Sequence, residues 1–467
     1  MPPTRLVIKF GGTSVGNADA IAQAAGIAAA LRRDGHDLVV VTSAMSGVTD
    51  ALMGAAQAAI SGERQRLGEI GDSLRAKHHE AAADLLSSPD ERQVVLDAVD
   101  QRLGELMLLC DAFAVLGEAS PRALDAISSL GERMSVHLLA GAIRSRGTPA
   151  VPIDAAGIIR TDDAFQSAAP DMTETRKLAR ELLGSLVADS TVPVVTGFIG
   201  STADGIVTTL GRGGSDYSAA ILGAALDADE VWIYTDVDGV MTADPRVVTD
   251  VRTLERLSYR EMSELAYFGA RVLHPKTVLP ALERGIPIRI RNTFRPSHAG
   301  TLVIGRTEEG SGVLKGVTAI RRQSLVTIEG RGMLGVPGIA ARAFGSVAKT
   351  GTSVSMISQA SSEQSICFLV PQDSSAVAVD ALRREFEHEL TRRDIESIWT
   401  LDEAVIVTVV GAAIKQTPGI AGRVFGALGD DGINVIAIAM GSSECSISLV
   451  VEARDAERAV RCLHTLI

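Results

Sequence analysis

Over about the first 300 residues, short apolar, β-branched runs alternate with longer alanine-rich stretches. RLVIKF (5–10), DLVVVTSA (37–44), TPAVPID (148–154), VPVVTGFIG (192–200), EVWIYTDV (230–237) and IPIRIRN (286–292) predict strands. ADAIAQAAGIAAALRR (18–33), ERMSVHLLAGAIRSR (132–146), TRKLARELLGSLVA (175–188) and SDYSAAILGAALDA (215–228) predict the helices between them. Strands joined by crossover helices imply an α/β domain with a mainly parallel sheet covered on both faces. Ligands in such folds bind at the C-terminal ends of the strands. Residues 51–125 break the alternation: they are alanine- and leucine-rich with no strand pattern, and read as a helical insertion. His78 and His79 fall in it, with no accompanying metal-ligand set, and are expected on its surface.

The last third repeats itself. VPGIAARAFGSVAKTGTSVSMISQASSEQSICFLV (336–370) aligns without gaps on TPGIAGRVFGALGDDGINVIAIAMGSSECSISLVV (417–451), at an offset of 81. A strand-like run, LVTIEG or VIVTVVG, precedes each copy. Each copy then reads as a small module of strand, helix, two strands and a final helix, with one apolar sheet face available for side-by-side pairing. The Gly/Ser-containing stretch TEEGSGVLKG (307–316) is the linker candidate. The expected boundaries are therefore an N-terminal domain over 1–306, a linker over 307–322, and modules over 323–400 and 401–467.

Candidate chemistry sits in two glycine-rich turns, KFGGTSVG (9–16) and VTTLGRGGSDY (207–217). Glycine lets backbone N–H groups approach a phosphate closely, and a following helix N-terminus favours the anion. Neither turn has P-loop spacing or a dinucleotide fingerprint. Each carries a basic residue and the second ends in an acid, a combination that suits a polyphosphate held beside a small charged acceptor. The net charge of −12 argues against nucleic acid as a partner but not against a nucleotide in a local basic pocket. The four cysteines (Cys110, Cys367, Cys445, Cys462) form no zinc-like cluster and are expected to be free thiols. No apolar run approaches membrane-spanning length and LVIKF is broken at Lys9, so a cytoplasmic protein without membrane partners is expected.

Seven segments in order, KFGGTSV (9–15), TSAMSGVTDAL (42–52), SLGERMS (129–135), TGFIG (196–200), TLGRGGSDYSAA (209–220), TDVDGVMTADPR (235–246) and FGARVLHPKT (268–277), resemble the signatures of aspartate kinases. These are members of the amino-acid kinase superfamily that carry tandem ACT domains, and the resemblance covers essentially the whole chain. It implies an amino-acid-kinase domain followed by two ACT modules of βαββαβ type. The implied reaction is phosphorylation of the L-aspartate β-carboxylate by Mg-ATP, the first step towards lysine, threonine and methionine. Mg²⁺ is expected on the ATP phosphates, with no protein metal site and no organic prosthetic group. A carboxylate nucleophile is already ionised at pH 7, so no general base is needed. Catalysis then rests on cations, N–H donors and alignment.

By this resemblance Lys9 neutralises the transferring phosphoryl oxygens, Gly11 and Gly12 supply N–H donors, and Asp216 orients Lys9 or Mg-bound water. Asp216 also reads as a helix N-cap. Arg212 is the fork for the substrate α-carboxylate, and Glu132 takes the ammonium. Ser43, Thr49, Phe198, Gly213, Gly214 and Ser215 line the same pocket. Thr235, Asp236, Met241, Arg246 and Arg271 match nucleotide-contact positions. Met241 stands where the family commonly has tyrosine, which leaves packing against the base but no phenolic hydrogen bond.

ISQASSEQSI (357–366) is similar to the segment of threonine-sensitive members, so Gln359, with Ser358 and Val336, is expected to contact an amino-acid effector, threonine in preference to lysine. The equivalent position in the second copy is Met440, which cannot make an amide's hydrogen bonds, so one effector site per chain is expected. Pairing of ACT modules implies a homodimer or homotetramer. The chain ends 16 residues after the second repeat, which leads us to expect a kinase without an attached homoserine dehydrogenase. Two other readings stay open at this level: an amino-acid sensor on a kinase scaffold, and a related kinase with another carboxylate acceptor.

Overall fold

A computed structural model describes residues 4–267, 273–305, 313–359, 364–412, 414–440 and 445–467. The chain divides into two compact units: the described parts of 1–240, 253–259 and 272–306, and those of 241–252, 260–271 and 307–467.

The first unit runs β1 (Arg5–Phe10), α1 (Ala18–Arg33), β2 (Asp37–Thr42), α2 (Val48–Ile60), α3 (Arg64–Leu85), α4 (Pro89–Leu116), α5 (Pro121–Ser128), α6 (Leu130–Arg144), β3 (Ala150–Ile153), α7 (Met172–Ala188), β4 (Val192–Thr196), β5 (Ile199–Ser201), β6 (Val207–Thr209), α8 (Gly214–Leu226) and β7 (Glu230–Thr235). After β8 (Arg256–Ser258), and beyond α9 (Tyr259–Tyr267), which apart from Tyr259 belongs to the second unit, it closes with α10 (Leu279–Glu283), β9 (Ile288–Asn292) and β10 (Thr301–Ile304). Eight strands form one sheet in the order β3-β4-β2-β1-β7-β9-β10-β8. All neighbours are parallel except β9 and β10. Val7, Ile8 and Phe10 of β1 and Val39, Val40 and Val41 of β2 are fully buried, as continuous apolar runs in a two-sided sheet should be. The chain leaves β1 to build β2 on one side and later β7 on the other, so the strand order reverses at β1. The expected strand VPVVTGFIG is split in two: Phe198, at φ +67°, turns the chain between β4 and the β5–β6 hairpin.

The insertion is helical, as α2 to α5, with Ser88 and Ser120 capping α4 and α5 just before their first-turn prolines. His78 departs from expectation. It lies on the inward side of α3, is fully buried, and has Nδ1 2.7 Å from the Leu74 carbonyl oxygen one turn back. Burial pushes its pKa down to about 4. His79 pairs with Asp100 of α4 at 3.1 Å. None of the four cysteines forms a disulfide, and Cys110 and Cys445 are buried. Among the described residues no helix is long and apolar enough to cross a membrane.

The second unit contains β11 (Gly316–Glu329), α11 (Ile339–Ala348), β12 (Met356–Gln359), β13 (Ser365–Pro371), α12 (Ser375–Glu385), α13 (Glu387–Arg392), β14 (Ser397–Val410), α14 (Ile420–Asp430), β15 (Ala437–Ala439), β16 (Ser446–Glu452) and α15 (Ala456–His464). The helices α11 and α12 and the strands β12 and β13 each begin 81 residues before their counterparts α14, α15, β15 and β16. The strands form a sheet in the order β12-β13-β11-β14-β16-β15.

The two central strands are long because each serves both modules. Gly316–Ile320 pairs with 406–410 and Leu325–Glu329 with 397–401; the register shifts between these halves, where Arg322 and Glu403 take positive φ. The first half of β11 is therefore the fourth strand of the second module, and the first module is inserted after it. This corrects the expected linker and module boundaries: residues 316–322 are strand, not linker, and residues 306–312 lie outside the described set. The separate cores agree. Val317 packs with Val407, Val424 and Leu463 of the second module, while Val326 packs with Val347, Phe368 and Leu382 of the first.

Candidate active site

Four strand ends, after Phe10, Thr42, Thr196 and Thr235, open into one cleft of about 760 Å³ in the first unit. This is where an open α/β sheet with a reversal in strand order binds ligands. At its floor Lys9, 8% exposed, is ion-paired with Asp216 at 2.6 Å. Lys9 is the next-to-last residue of β1, and Asp216 lies in the first turn of α8, whose N-cap is Gly213 rather than Asp216. The first backbone bond into α8 runs from the Tyr217 N–H to the Gly213 carbonyl at 3.0 Å. The preceding N–H groups of Ser215 and Asp216 therefore face the cleft without a helical acceptor, a disposition that favours an anion.

Close approach dictates two of the residue choices. A Cβ on Gly214 would lie 2.5 Å from Phe198 Cδ2, and one on Gly197 would lie 2.7 Å from Ser215 Cβ. The Phe198 N–H donates to Ser218 Oγ at 2.9 Å, which holds that residue in its left-handed conformation against α8.

Glu132, in the first turn of α6, is 4% exposed and lines the cleft. Burial pushes its carboxyl up to about 8, against the opposing pull of the Ala44 N–H and the Lys9 charge. Its Oε2 has no hydrogen-bond partner among the described residues. Arg212 stands exposed between Gly211 and Gly213 and forms no ion pair with a described residue. The cleft thus offers one buried cation, one free guanidinium, a helix N-terminus and a buried acid awaiting a donor.

The cleft brings together Lys9, Gly11, Gly12, Ser43, Thr49, Glu132, Phe198, Arg212, Gly213, Gly214, Ser215, Asp216, Thr235 and Asp236. One expectation there needs correction: the Gly11 N–H already donates to the Tyr234 carbonyl at 3.2 Å, because β1 continues its pairing with β7 one residue further. The Gly12 N–H has no acceptor among the described residues. Met241 and Arg246 belong to the second unit, where Arg246 forms a two-pronged pair with Asp244 at 3.0 and 2.7 Å. Arg271 lies outside the described residues.

Sequence reasoning missed Asp125, Gln166 and Thr209, which also line the cleft. Asp125 sits inside the helical insertion, and its only signal is a lone acid in the apolar run ALDAIS. Among the described residues no three His, Cys, Asp or Glu side chains converge as a metal site.

In the second unit Gln359 ends β12 and is exposed, as is Met440 just after β15. The Ser358 carbonyl accepts from Cys367 Sγ at 3.1 Å. Val336 instead lines a hollow of about 160 Å³ with Met333, Ile339, Glu389 and Ile395, apart from β12. Ser358 and Gln359 are not among the residues that line this hollow.

Comparison with known proteins places this architecture. Residues 4–292 match the amino acid kinase family, and residues 326–386 and 407–466 match the ACT domain. The bifunctional aspartokinase/homoserine dehydrogenase 1 of Arabidopsis thaliana is 37% identical over 98% of the chain, which spans 50% of that relative. The chain thus covers about half the length of such bifunctional relatives. The lysine-sensitive aspartokinase 3 of Escherichia coli is 34% identical, with 98% of each sequence covered. Crystal structures of E. coli aspartokinase III, one with aspartate and ADP (R-state) and one with lysine and aspartate (T-state), superpose with a TM-score of 0.80 each. They are 32% and 33% identical and cover 99% and 98% of both chains, respectively. The chain belongs to the amino acid kinase family, and within it to the aspartokinases.

Proposed function

We propose that the chain transfers the γ-phosphoryl group of ATP to the β-carboxylate of L-aspartate. The observation that carries this reading is the buried Lys9–Asp216 pair beside the open N-terminus of α8, opposite Arg212 and Glu132. A carboxylate oxygen of aspartate attacks the γ-phosphorus, the bond from phosphorus to the β,γ-bridging oxygen breaks, and ADP leaves. The products are 4-phospho-L-aspartate and ADP, and no proton has to move. Mg²⁺ enters with ATP as part of the substrate.

Lys9 neutralises the equatorial phosphoryl oxygens as the anion meets the polyanion, and Asp216 fixes the position of the ammonium. The N–H groups of Gly12, Ser215 and Asp216 add fixed donors. Arg212 takes the α-carboxylate, and ionised Glu132 takes the substrate ammonium. Ser43, Thr49 and Phe198 shape the aspartate side, while Thr235 and Asp236 serve the nucleotide.

The ACT modules bind an end-product amino acid and join chains into a dimer or tetramer. Gln359, at the exposed end of β12, is the proposed effector contact. The ISQASSEQSI segment favours threonine; the lysine complex of the E. coli relative favours lysine. The test is ADP release with Mg-ATP and L-aspartate, against L-glutamate as acceptor, with each amino acid titrated. Aspartate-dependent release with no response to glutamate supports the reading; release independent of the acceptor overturns it.

A further inference from the structure

We propose that Asp125 is a positioning residue that sets the turn carrying Arg212, and through it the affinity for the acceptor substrate; this rests on the reading of Arg212 as the group that binds the α-carboxylate. Asp125 lies in α5 and is 1% exposed. It forms no ion pair with any described residue, although a buried carboxylate without a cation is costly to keep. Four short hydrogen-bond contacts from two other segments compensate. The Thr209 N–H and hydroxyl donate at 2.9 and 2.7 Å, one to each oxygen. The Gln166 N–H bridges both oxygens at 2.9 and 3.1 Å.

Those two segments are the walls of the Arg212 turn. The Ala168 N–H donates to the Thr209 carbonyl at 3.0 Å, which joins the walls a second time. Gln166 is held at φ +69°, and a Cβ on Gly211 would lie 2.9 Å from its carbonyl oxygen. The turn itself is tight: Gly211 and Gly213 have φ of +76° and +72°, and the Gly214 N–H donates to the Gly211 carbonyl at 2.9 Å. On the far side, a Cβ on Gly213 would lie 2.9 Å from Thr277 Cγ2. Arg212 therefore projects from a turn with no slack, and Asp125 fixes the wall on which it rests. A carboxylate suits this role because both its oxygens accept from the walls at once, which an amide cannot do without placing its NH₂ against a backbone N–H.

The test is steady-state kinetics on the full chain carrying Asp125→Asn, Arg212→Ala, or both. Asp125→Asn is expected to raise the aspartate KM about tenfold, with the ATP KM unchanged within about twofold. Acting through Arg212, it adds less than about twofold to the effect of Arg212→Ala in the double variant. Thr209→Val, which removes one hydrogen bond and keeps the shape, should move the aspartate KM the same way by about threefold; it serves as the probe if Asp125→Asn does not fold. A purely structural role would lower Tm and the active fraction while leaving both KM values alone. That result, or additive effects in the double variant, overturns the proposal. If Arg212→Ala itself leaves the aspartate KM unchanged, the Arg212 reading falls and takes the proposal with it.

Discussion

If Glu132 takes the substrate ammonium as proposed, aspartate recognition should depend on pH in a range where free carboxylates do not titrate. Its carboxyl is 4% exposed and is pushed up to about 8, first by burial. With that value only about one chain in ten carries the ionised form at pH 7. On the proposed reading the substrate ammonium binds that form, so the apparent affinity for aspartate should fall by the same fraction. The expected result is a kcat/KM for aspartate that rises about tenfold per pH unit up to pH 7 and levels off above pH 8. The ATP KM should stay flat over that range. Glu132→Gln should bind aspartate weakly at every pH and lose the slope.

The same group leaves a mark on the stability of the empty protein. Its folded pKa lies above its unfolded value, so the folded state holds the extra proton between about pH 4.5 and 8. Stability from this group is therefore complete below pH 4.5 and declines as pH rises to 8; the Gln variant removes that decline. Initial-rate kinetics from pH 6 to 8.5 and urea denaturation across the same range are the assays. A flat aspartate profile in the unmodified protein, or an identical slope in Glu132→Gln, would refute the reasoning.

Other consequences follow from the same geometry. Lys9→Met should lower kcat by about 10²- to 10³-fold, and adding Asp216→Asn should recover Tm by removing the unpaired acid without recovering kcat; hydroxamate formation and thermal melts measure both. Gly214→Ala brings a Cβ within 2.5 Å of Phe198 and should destabilise the protein by about 1–3 kcal/mol, read by urea denaturation, with the aspartate KM raised. Gln359→Ala should weaken inhibition by the amino-acid effector without changing uninhibited kcat; unchanged inhibition would remove Gln359 from that site.

Much of this architecture is legible because it rests on local chemistry. The central strands are buried on both faces and so read as unbroken apolar runs, and RLVIKF and DLVVVTSA map onto β1 and β2 almost residue for residue. The repeat is legible because the same helix and strands must fill the same small core twice. What escaped the sequence depends on long-range pairing. Nothing local marks Gly316–Ile320 as the fourth strand of a module whose remaining strands begin some 90 residues later, and a glycine- and serine-containing approach reads as linker. The fate of the Gly11 N–H depends on a carbonyl more than 200 residues away. Asp125 shows the same limit: its partners lie 41 and 84 residues along the chain, so an acid in an apolar helix gave no hint of what it holds. The inward turn of His78 escaped because one histidine in an amphipathic helix looks the same on either face.

The most direct test of the central claim is to trap the product. The chain is incubated with Mg-ATP, L-aspartate and hydroxylamine, and aspartate β-hydroxamate is quantified against ADP. The account expects the two in equal amounts, dependent on aspartate and formed about 10²- to 10³-fold more slowly by the Lys9→Met chain. ADP released without hydroxamate, or hydroxamate formed undiminished by the Lys9→Met chain, would contradict it.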